Sequence, residues 1–168
     1  LPNQCFRTTN GGLSWDSLNI ITGGATGRDI EFINTQTGWV AMGSKIFKTT
    51  NGGINWFQQF TTTGAEMQSL SFLNSHTGYA VSLELWEVYK TTDSGNDWNL
   101  LVTLPQYFNS HCIFFKNINT GYVSGDGGYM FSTTNGGFNW SQQQTNTNSF
   151  LQSVQFVTDS VGWAVGGA

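Results

Sequence analysis

One short segment recurs four times along this chain of 168 residues, and its spacing limits the folds that the chain can adopt. The copies are TTNGGLSW, TTNGGINW, TTDSGNDW and TTNGGFNW, at 8–15, 49–56, 91–98 and 133–140. They begin 41, 42 and 42 residues apart. Self-similarity at such a period is typical of repeat architectures, in which each repeat forms one supersecondary unit. We therefore take about 42 residues as the structural unit of the chain.

The residues between two copies have a pattern of their own. An alternating apolar stretch, such as SLSF at 69–72, predicts a first strand. A polar turn ending in Gly and an aromatic residue, such as NSHTGY at 74–79, leads into a second strand. A third strand precedes the recurrent segment and a fourth follows it. Four antiparallel strands in about 42 residues predict an all-β fold, a β-propeller with one blade per repeat.

The recurrent segment itself is predicted to be a structural turn between the third and fourth strands. Its first Thr hydroxyl and its Asn or Asp oxygen can accept hydrogen bonds from backbone N–H groups. The second Gly can adopt a positive φ, and the Trp can cover the hairpin. Only one copy has Asp where the others have Asn, so the oxygen matters more than the charge. The predicted structural residues are Asn10, Gly12, Trp15, Asn51, Gly53, Trp56, Asp93, Gly95, Trp98, Asn135, Gly137 and Trp140.

These segments resemble the Asp-box, or bacterial neuraminidase repeat (BNR), whose pattern is Ser/Thr-x-Asp-x-Gly-x-x-Trp. Combined with the LxxF-type first strand and the GWAVG strand at 162–166, they are similar to the repeats of the photosystem II stability and assembly factor family. Such repeats also occur in secreted bacterial proteins. The resemblance implies a propeller with a binding or assembly role, whose Asp-boxes lie away from any active centre.

The two ends of the chain supply complementary parts of one blade. The chain begins in a third strand and ends after a second strand, so joining the ends gives four blades closed by a clasp of terminal strands. We therefore expect 1–168 to form a single propeller domain or a portion of one. Two other arrangements stay open. Two chains could complete an eight-bladed ring, or the chain could be an excerpt of a longer array, which the missing initiator Met favours.

Composition excludes several classes of partner. Only 10% of the residues are charged and the net charge is −4, which argues against nucleic acid as a partner. No apolar run approaches the roughly 18 residues of a membrane span, so membrane insertion is not expected. Cys5 and Cys112 fall on strands of different blades, which argues against a disulfide. The amide-rich, weakly charged composition resembles that of secreted bacterial surface proteins and favours an extracellular or cell-surface location, with the periplasm as the alternative.

The loops from the fourth strand of one blade to the first strand of the next are the variable part of the repeat, and recognition commonly resides in such loops. They are expected on the face opposite the recurrent turns. Each ends with a hydrogen-bonding side chain at the mouth of an inner strand: Arg28, Gln68, His111 or Gln152. This ring around a central channel is the predicted ligand-binding face. Trp86 and Tyr107 are predicted to add stacking surface for a sugar or a peptide.

Catalysis is not expected. Sialidase chemistry uses three arginines, whereas this chain has only Arg7 and Arg28. Another glycosidase would need two facing carboxylates, roughly 5–10 Å apart. The weak candidates are Asp29, Glu66, Glu84 and Glu87. His76 and His111 are expected on opposite faces, so no triad and no metal site is predicted.

The sequence therefore predicts a non-catalytic extracellular interaction or assembly module without metal or cofactor. Its partner would be a protein or a glycan, and self-association to complete a larger ring or array is a further option. Two alternatives remain at this stage. One is a structural subunit of a secreted surface or filament-forming protein. The other is a fragment of a glycoside hydrolase propeller.

Overall fold

The structure is a computed structural model that describes residues 3–21, 24–105 and 109–167. Within these ranges the chain forms sixteen β-strands and one short 3-10 helix. The all-β class is therefore confirmed. The strands correspond to four repeats of four, as the period of the recurrent segment predicts.

Three repeats form complete blades, each a four-stranded antiparallel sheet in which neighbours in sequence pair with one another. The first blade contains β3 (Gly27–Phe32), β4 (Gly38–Met42), β5 (Lys45–Thr49) and β6 (Phe57–Thr61). The second blade contains β7 (Met67–Phe72), β8 (Gly78–Ser82), β9 (Glu87–Thr91) and β10 (Asn99–Thr103). The third blade contains β11 (Ser110–Phe115), β12 (Gly121–Gly125), β13 (Met130–Thr133) and β14 (Ser141–Gln143).

The two ends of the chain form half-blades. The N-terminal half-blade pairs β1 (Asn3–Arg7) with β2 (Asp16–Ile21), which are a third and a fourth strand. The C-terminal half-blade pairs β15 (Phe150–Phe156) with β16 (Gly162–Gly167), which are a first and a second strand. The 3-10 helix, Asp126–Gly128, lies between β12 and β13.

Among the residues that the structure describes, the predicted clasp is not formed, and this corrects one detail of the sequence-based fold. The half-blades are two separate two-stranded sheets, with no pairing between β1 and β16. The physical reason lies in the packing between blades, since close-packed aromatic side chains fix the angle from one blade to the next.

The hydrophobic core consists of clusters that lie between neighbouring blades. One cluster joins the first and second blades through Trp39, Ile46, Leu70 and Phe72. Equivalent clusters join the second blade to the third, and each half-blade to its neighbour. The first strands of successive blades lie side by side, β3 next to β7, β7 next to β11 and β11 next to β15. These inner strands bring the ends of the variable loops together.

No helix in the described ranges is long and apolar enough to cross a membrane. Cys5 and Cys112 are both free thiols.

Candidate functional site

The recurrent turns and the turns between first and second strands share one end of every blade, which we call the turn face. Backbone bonds tie the two kinds of turn together. Gly52 N–H donates to the Gln36 carbonyl at 2.8 Å, and Ser94 N–H donates to the His76 carbonyl at 3.0 Å. Gln36 and His76 are exposed on this face.

The variable loops lie at the other end of the blades, which we call the mouth face. They bond to the loops between second and third strands. Leu83 N–H donates to the Glu66 carbonyl at 2.8 Å, and Asp126 N–H donates to the Asn109 carbonyl at 3.0 Å. Residues of neighbouring blades also meet on this face, since Ser110 N–H of the third blade donates to the Leu83 carbonyl of the second at 2.9 Å.

Four predicted site residues meet in one cavity on the mouth face, which we call the mouth cavity. Its volume is about 280 Å³. Arg28, Gln68, His111 and Gln152 each come from a different inner strand, β3, β7, β11 and β15 in turn. The remaining lining residues are Asp29, Ser69, Leu70, Cys112, Ile113 and Ser153. The packing of inner strands thus assembles a polar cavity from residues about one repeat apart.

Gln68 is the most buried of these polar side chains, with 8% of its surface exposed. Its Oε1 atom is buried and has no hydrogen-bond partner among the described residues. An unpaired buried acceptor costs roughly 1–3 kcal/mol, and native proteins satisfy most such groups.

Arg28 is held at the rim by an acidic neighbour from the second blade. Its Nε donates to Glu66 Oε2 at 3.1 Å, and its Nη2 makes a second bond to the same oxygen. The Glu66 backbone N–H in turn donates to Glu84 Oε2 at 3.1 Å. The Arg28 side chain is about one-third exposed, so this pair stays in contact with solvent.

Asp126 is a site residue that sequence reasoning assigned only to a turn. Its Oδ1 lies 2.6 Å from His111 Nε2, and its Oδ2 accepts bonds from the backbone and side-chain N–H groups of Asn109. Burial by itself would raise the pKa of Asp126, but the His111 and Asn109 bonds outweigh it and lower that pKa. The ring of His111 also meets the edge of Phe150 at 5.8 Å between centroids. The sequence contained one signal for this contact, because the GDGG turn and the loop that ends at His111 were both expected on the same face.

Two carboxylates of β3 join the first blade to the second. Asp29 Oδ2 accepts from Leu70 N–H at 2.8 Å and from Ser69 Oγ at 3.0 Å. Glu31 Oε2 accepts from Phe72 N–H at 2.8 Å. Burial is the main cause that raises the pKa of Glu31 to about 7, and Asp29 adds to it.

The other carboxylates considered for glycoside hydrolysis also have structural partners. Glu66 binds Arg28, and Glu84 accepts from the Glu66 N–H. Glu87 Oε2 accepts from Tyr89 Oη at 2.7 Å. Across the described ranges, no group of three or more His, Cys, Asp and Glu side chains is placed to hold a metal ion. Burial raises the pKa of the Cys112 thiol, which disfavours its thiolate.

Trp86 does not belong to the exposed site, which corrects the prediction of a stacking surface there. Only 1% of its surface is exposed, and its ring meets Phe131 of the third blade edge-on at 5.9 Å. The ring also lies against Gly125, where a Cβ atom would approach it to 2.7 Å. A large apolar side chain next to an interblade core is buried there by the hydrophobic effect. Tyr107, the other predicted aromatic, lies outside the described residues.

The recurrent turns share one hydrogen-bond pattern on the turn face. In the copy at 49–56, Thr49 Oγ1 accepts from Gly53 N–H at 2.9 Å, and Asn51 Oδ1 accepts from Asn55 N–H at 2.9 Å. The other three copies make the same two kinds of bond. Asp93 replaces Asn51 in one copy and uses one oxygen in the same way. The second glycines have φ from 85° to 91°: Gly12, Gly53, Gly95 and Gly137.

No protein-family profile matches the chain, and no curated protein sequence matches it. Solved structures do resemble it. YCF48 from Cyanidioschyzon merolae superposes with a TM-score of 0.76 at 14% identity, over 98% of this chain and 61% of that one. YCF48 bound to D1 peptide gives 0.67 at 21% identity, over 77% of this chain and 43% of that one. The GH74 xyloglucanase from Xanthomonas campestris gives 0.78 at 10% identity, over 96% and 32%.

At these identities the similarity shows the fold alone, and that fold is the β-propeller blade array. The chain spans less than two thirds of the length of each of these proteins. This chain therefore shares the arrangement of blades seen in these proteins over most of its length.

Proposed function

We propose that the chain is a non-catalytic interaction or assembly module that binds a peptide segment of a protein partner in the mouth cavity. The observation that carries this proposal is the meeting of Arg28, Gln68, His111 and Gln152 around one cavity. Residues of four repeats converge there, and most of the residues that line the cavity are polar.

A peptide suits this cavity in chemistry and in size. A peptide backbone offers N–H donors and carbonyl acceptors, which suit the amide, imidazole and hydroxyl side chains that line the cavity. At about 280 Å³ the cavity is slightly smaller than pockets for drug-sized ligands, which span roughly 300–1,000 Å³. That volume suits one or two residues of an extended chain better than an oligosaccharide. The rim offers the Arg28–Glu66 pair and the Asp126 carboxylate for polar contacts with flanking residues.

Two further observations support the proposal. A propeller of the same fold has been solved as YCF48 bound to D1 peptide, so the fold accommodates peptide binding. The carboxylates that a hydrolase would need are engaged in structural bonds: Asp29, Glu66, Glu84 and Glu87.

The proposal includes the nature of the turns and the location of the protein. The recurrent turns are Asp-boxes in which Asn usually replaces Asp, as their sequences and their Thr and Asn bonds support. The module works outside the cytoplasm, as its amide-rich and weakly charged composition supports. Cell fractionation of the native host tests the location, and recovery from the cytoplasm alone would contradict it.

Peptide selection on the full chain tests the binding site. Random peptides displayed on phage are panned against the chain, and the selected peptides are measured by fluorescence polarisation. Gln68→Ala and His111→Ala are expected to weaken binding by about tenfold each, since a hydrogen bond and a cavity wall are lost. Circular dichroism melting of each variant shows whether it remains folded.

Gln36→Ala and His76→Ala are the matched controls, since both residues are exposed on the turn face. Their affinities should stay within about twofold of the parent chain. Selected peptides whose affinity is unchanged by Gln68→Ala and by His111→Ala would overturn the proposed site. A glycan array that gives specific binding, while no peptide is selected, would overturn the proposed ligand class.

A further inference from the structure

The turn face and the mouth face differ in net charge. All six basic and all ten acidic residues lie within the described ranges. On the turn face, four basic residues are balanced by four acidic ones: Arg7, Lys48, Lys90, Lys116, Asp16, Asp93, Asp97 and Asp159. Some of them are direct neighbours, since Lys116 bonds to Asp159 and Arg7 lies opposite Asp16. The turn face is therefore close to neutral.

The mouth face carries the excess of negative charge. Its two basic residues are Arg28 and Lys45, and its five acidic residues are Asp29, Glu66, Glu84, Glu87 and Asp126. Glu31 lies further along β3, at the interface of the first two blades. With histidine counted as neutral, these residues account for the whole net charge of −4. All of them lie within 28–126, so the difference between the faces does not depend on the half-blades.

Most of the mouth-face carboxylates keep their charge. The ion pair between Arg28 and Glu66 offsets one of them. Glu84 is exposed and accepts a backbone N–H bond beside that pair, whereas Glu87 accepts from the hydroxyl of Tyr89. A neutral donor stabilises a carboxylate through a hydrogen bond but does not cancel its charge. The mouth face therefore has a negative potential.

The mouth cavity lies where this potential acts on a ligand. Asp29 forms part of its wall, and Asp126 bonds to His111, which lines the cavity as well. The lowered pKa of Asp126 keeps that carboxylate ionised near neutral pH. Gln68 adds a buried Oε1 that accepts no hydrogen bond from a described residue. Charges of one sign around a cleft concentrate the field inside it, so the cavity favours a cationic group that donates hydrogen bonds.

Lysine and arginine are the peptide side chains that have both properties. Each is cationic at neutral pH and carries hydrogen-bond donors without an acceptor. We propose, on the basis of the function proposed above, that the mouth cavity selects peptide segments in which a lysine or arginine side chain enters it. A slender aliphatic stem fits a cavity of about 280 Å³. The partner is then a basic segment of a protein, and acidic segments are repelled.

Peptide selection against the full chain tests the charge of the ligand. Peptides selected from a random phage library at low ionic strength are synthesised with an acetylated N-terminus and a fluorescent label at the C-terminus. They should contain lysine or arginine, and replacing these residues by glutamine should weaken binding by about tenfold in fluorescence polarisation. Binding of the basic peptides should also weaken as sodium chloride is added.

Two substitutions on the mouth face should change the affinity for the basic peptides in opposite directions. Glu84→Gln removes a negative charge but keeps an oxygen for the Glu66 N–H, and it should weaken binding by about threefold. Lys45→Gln removes a positive charge and should strengthen binding by about the same factor. Both effects should shrink as sodium chloride is added.

Asp97→Asn is the matched control, because it removes the same charge as Glu84→Gln from an exposed position of the turn face. It should leave the affinity unchanged, and circular dichroism melting shows whether each variant remains folded. Equal losses for Glu84→Gln and Asp97→Asn would show attraction by net charge alone and would overturn the proposal.

The selected peptides also separate this proposal from the function on which it rests. Peptides without basic residues that still lose affinity on Gln68→Ala and His111→Ala would overturn the charge selectivity and leave the proposed function standing. Selection of no peptide at all would overturn both. Loss of binding on acetylation, with no loss on replacement of lysine and arginine, would identify a terminal amine as the bound group and would overturn the side-chain proposal.

Discussion

Glu31 illustrates at the scale of one residue how an interblade hydrogen bond depends on protonation. The carboxylate accepts from Phe72 N–H at the interface of the first two blades, where burial raises its pKa from 4.5 to about 7. The folded chain therefore binds the Glu31 proton more tightly than the unfolded chain. The sign follows from linkage: this group lowers stability as pH rises from about 4.5 to about 7.

Glu31→Gln should remove that pH dependence. The amide keeps an oxygen acceptor for Phe72 N–H but carries no charge to desolvate. We expect the variant to be more stable than the parent by about 2 kcal/mol at pH 8, with the difference vanishing below about pH 4.5. Urea denaturation of both proteins at pH 4, 6 and 8 measures it. A difference that stays constant across this range would show that Glu31 does not titrate in the folded chain.

Gln68 and Trp86 show why residue type alone did not decide which side chains form a site. Both were predicted on the mouth face, and both are almost fully buried. Gln68 lies beside a cavity and keeps an unpaired oxygen, whereas Trp86 fills the space between two blades. The difference depends on neighbours from other repeats.

The recurrent turn is the element whose chemistry could be predicted most fully. The Thr hydroxyl, the Asn or Asp oxygen and the second Gly act within eight residues, so their roles depend little on the rest of the fold. What differs among the copies is burial. Thr49 is completely buried, whereas Thr8 is partly exposed.

Thr49→Val should therefore cost more stability than Thr8→Val. Valine keeps the shape of threonine but removes the acceptor of Gly53 N–H, which is buried. We expect a loss of about 2 kcal/mol for Thr49→Val and about 0.5 kcal/mol for Thr8→Val, where water can replace the hydroxyl. Urea denaturation at one pH compares them. Equal losses would indicate that burial of the Thr hydroxyl does not determine how much its hydrogen bond contributes to the free energy of unfolding.

The molecule as a whole is stabilised by contacts between successive blades. Each repeat pairs its own strands, but its apolar faces are covered only by the neighbouring repeats. Exposed apolar residues concentrate at the half-blades, among them Phe6, Trp15, Trp163 and Val165. Stability should therefore depend on where a residue lies in the array.

Trp39→Ala and Trp163→Ala compare two equivalent positions of the repeat. Trp39 is fully buried, stacks on Phe72 and bonds to the Ser94 carbonyl, so its loss should cost about 3–5 kcal/mol. Trp163 is 58% exposed, and its loss should cost under about 1 kcal/mol at protein concentrations where the chain is monomeric. Thermal unfolding in dilute solution measures both. A large loss for Trp163→Ala under these conditions would show that its ring is already buried within one chain.

The sequence by itself determined the repeat, the order of strands in a blade, the chemistry of the turns and the face on which variable loops end. These features follow from contacts within about 42 residues, which a periodic sequence specifies locally. Even the convergence of Arg28, Gln68, His111 and Gln152 could be predicted, because equivalent positions of inner strands lie side by side.

Only the tertiary structure decided the burial of Trp86, the contact of Asp126 with His111, and the separation of the two half-blades. The burial of Trp86 and the separation of the half-blades depend on the angle at which one blade packs against the next, whereas the contact of Asp126 with His111 lies within the third blade. That angle is set by the fit of side chains from different repeats, such as Trp39 on Phe72. A sequence repeat specifies which groups face the next blade, but the packing of those groups fixes how far the chain turns and which faces remain open.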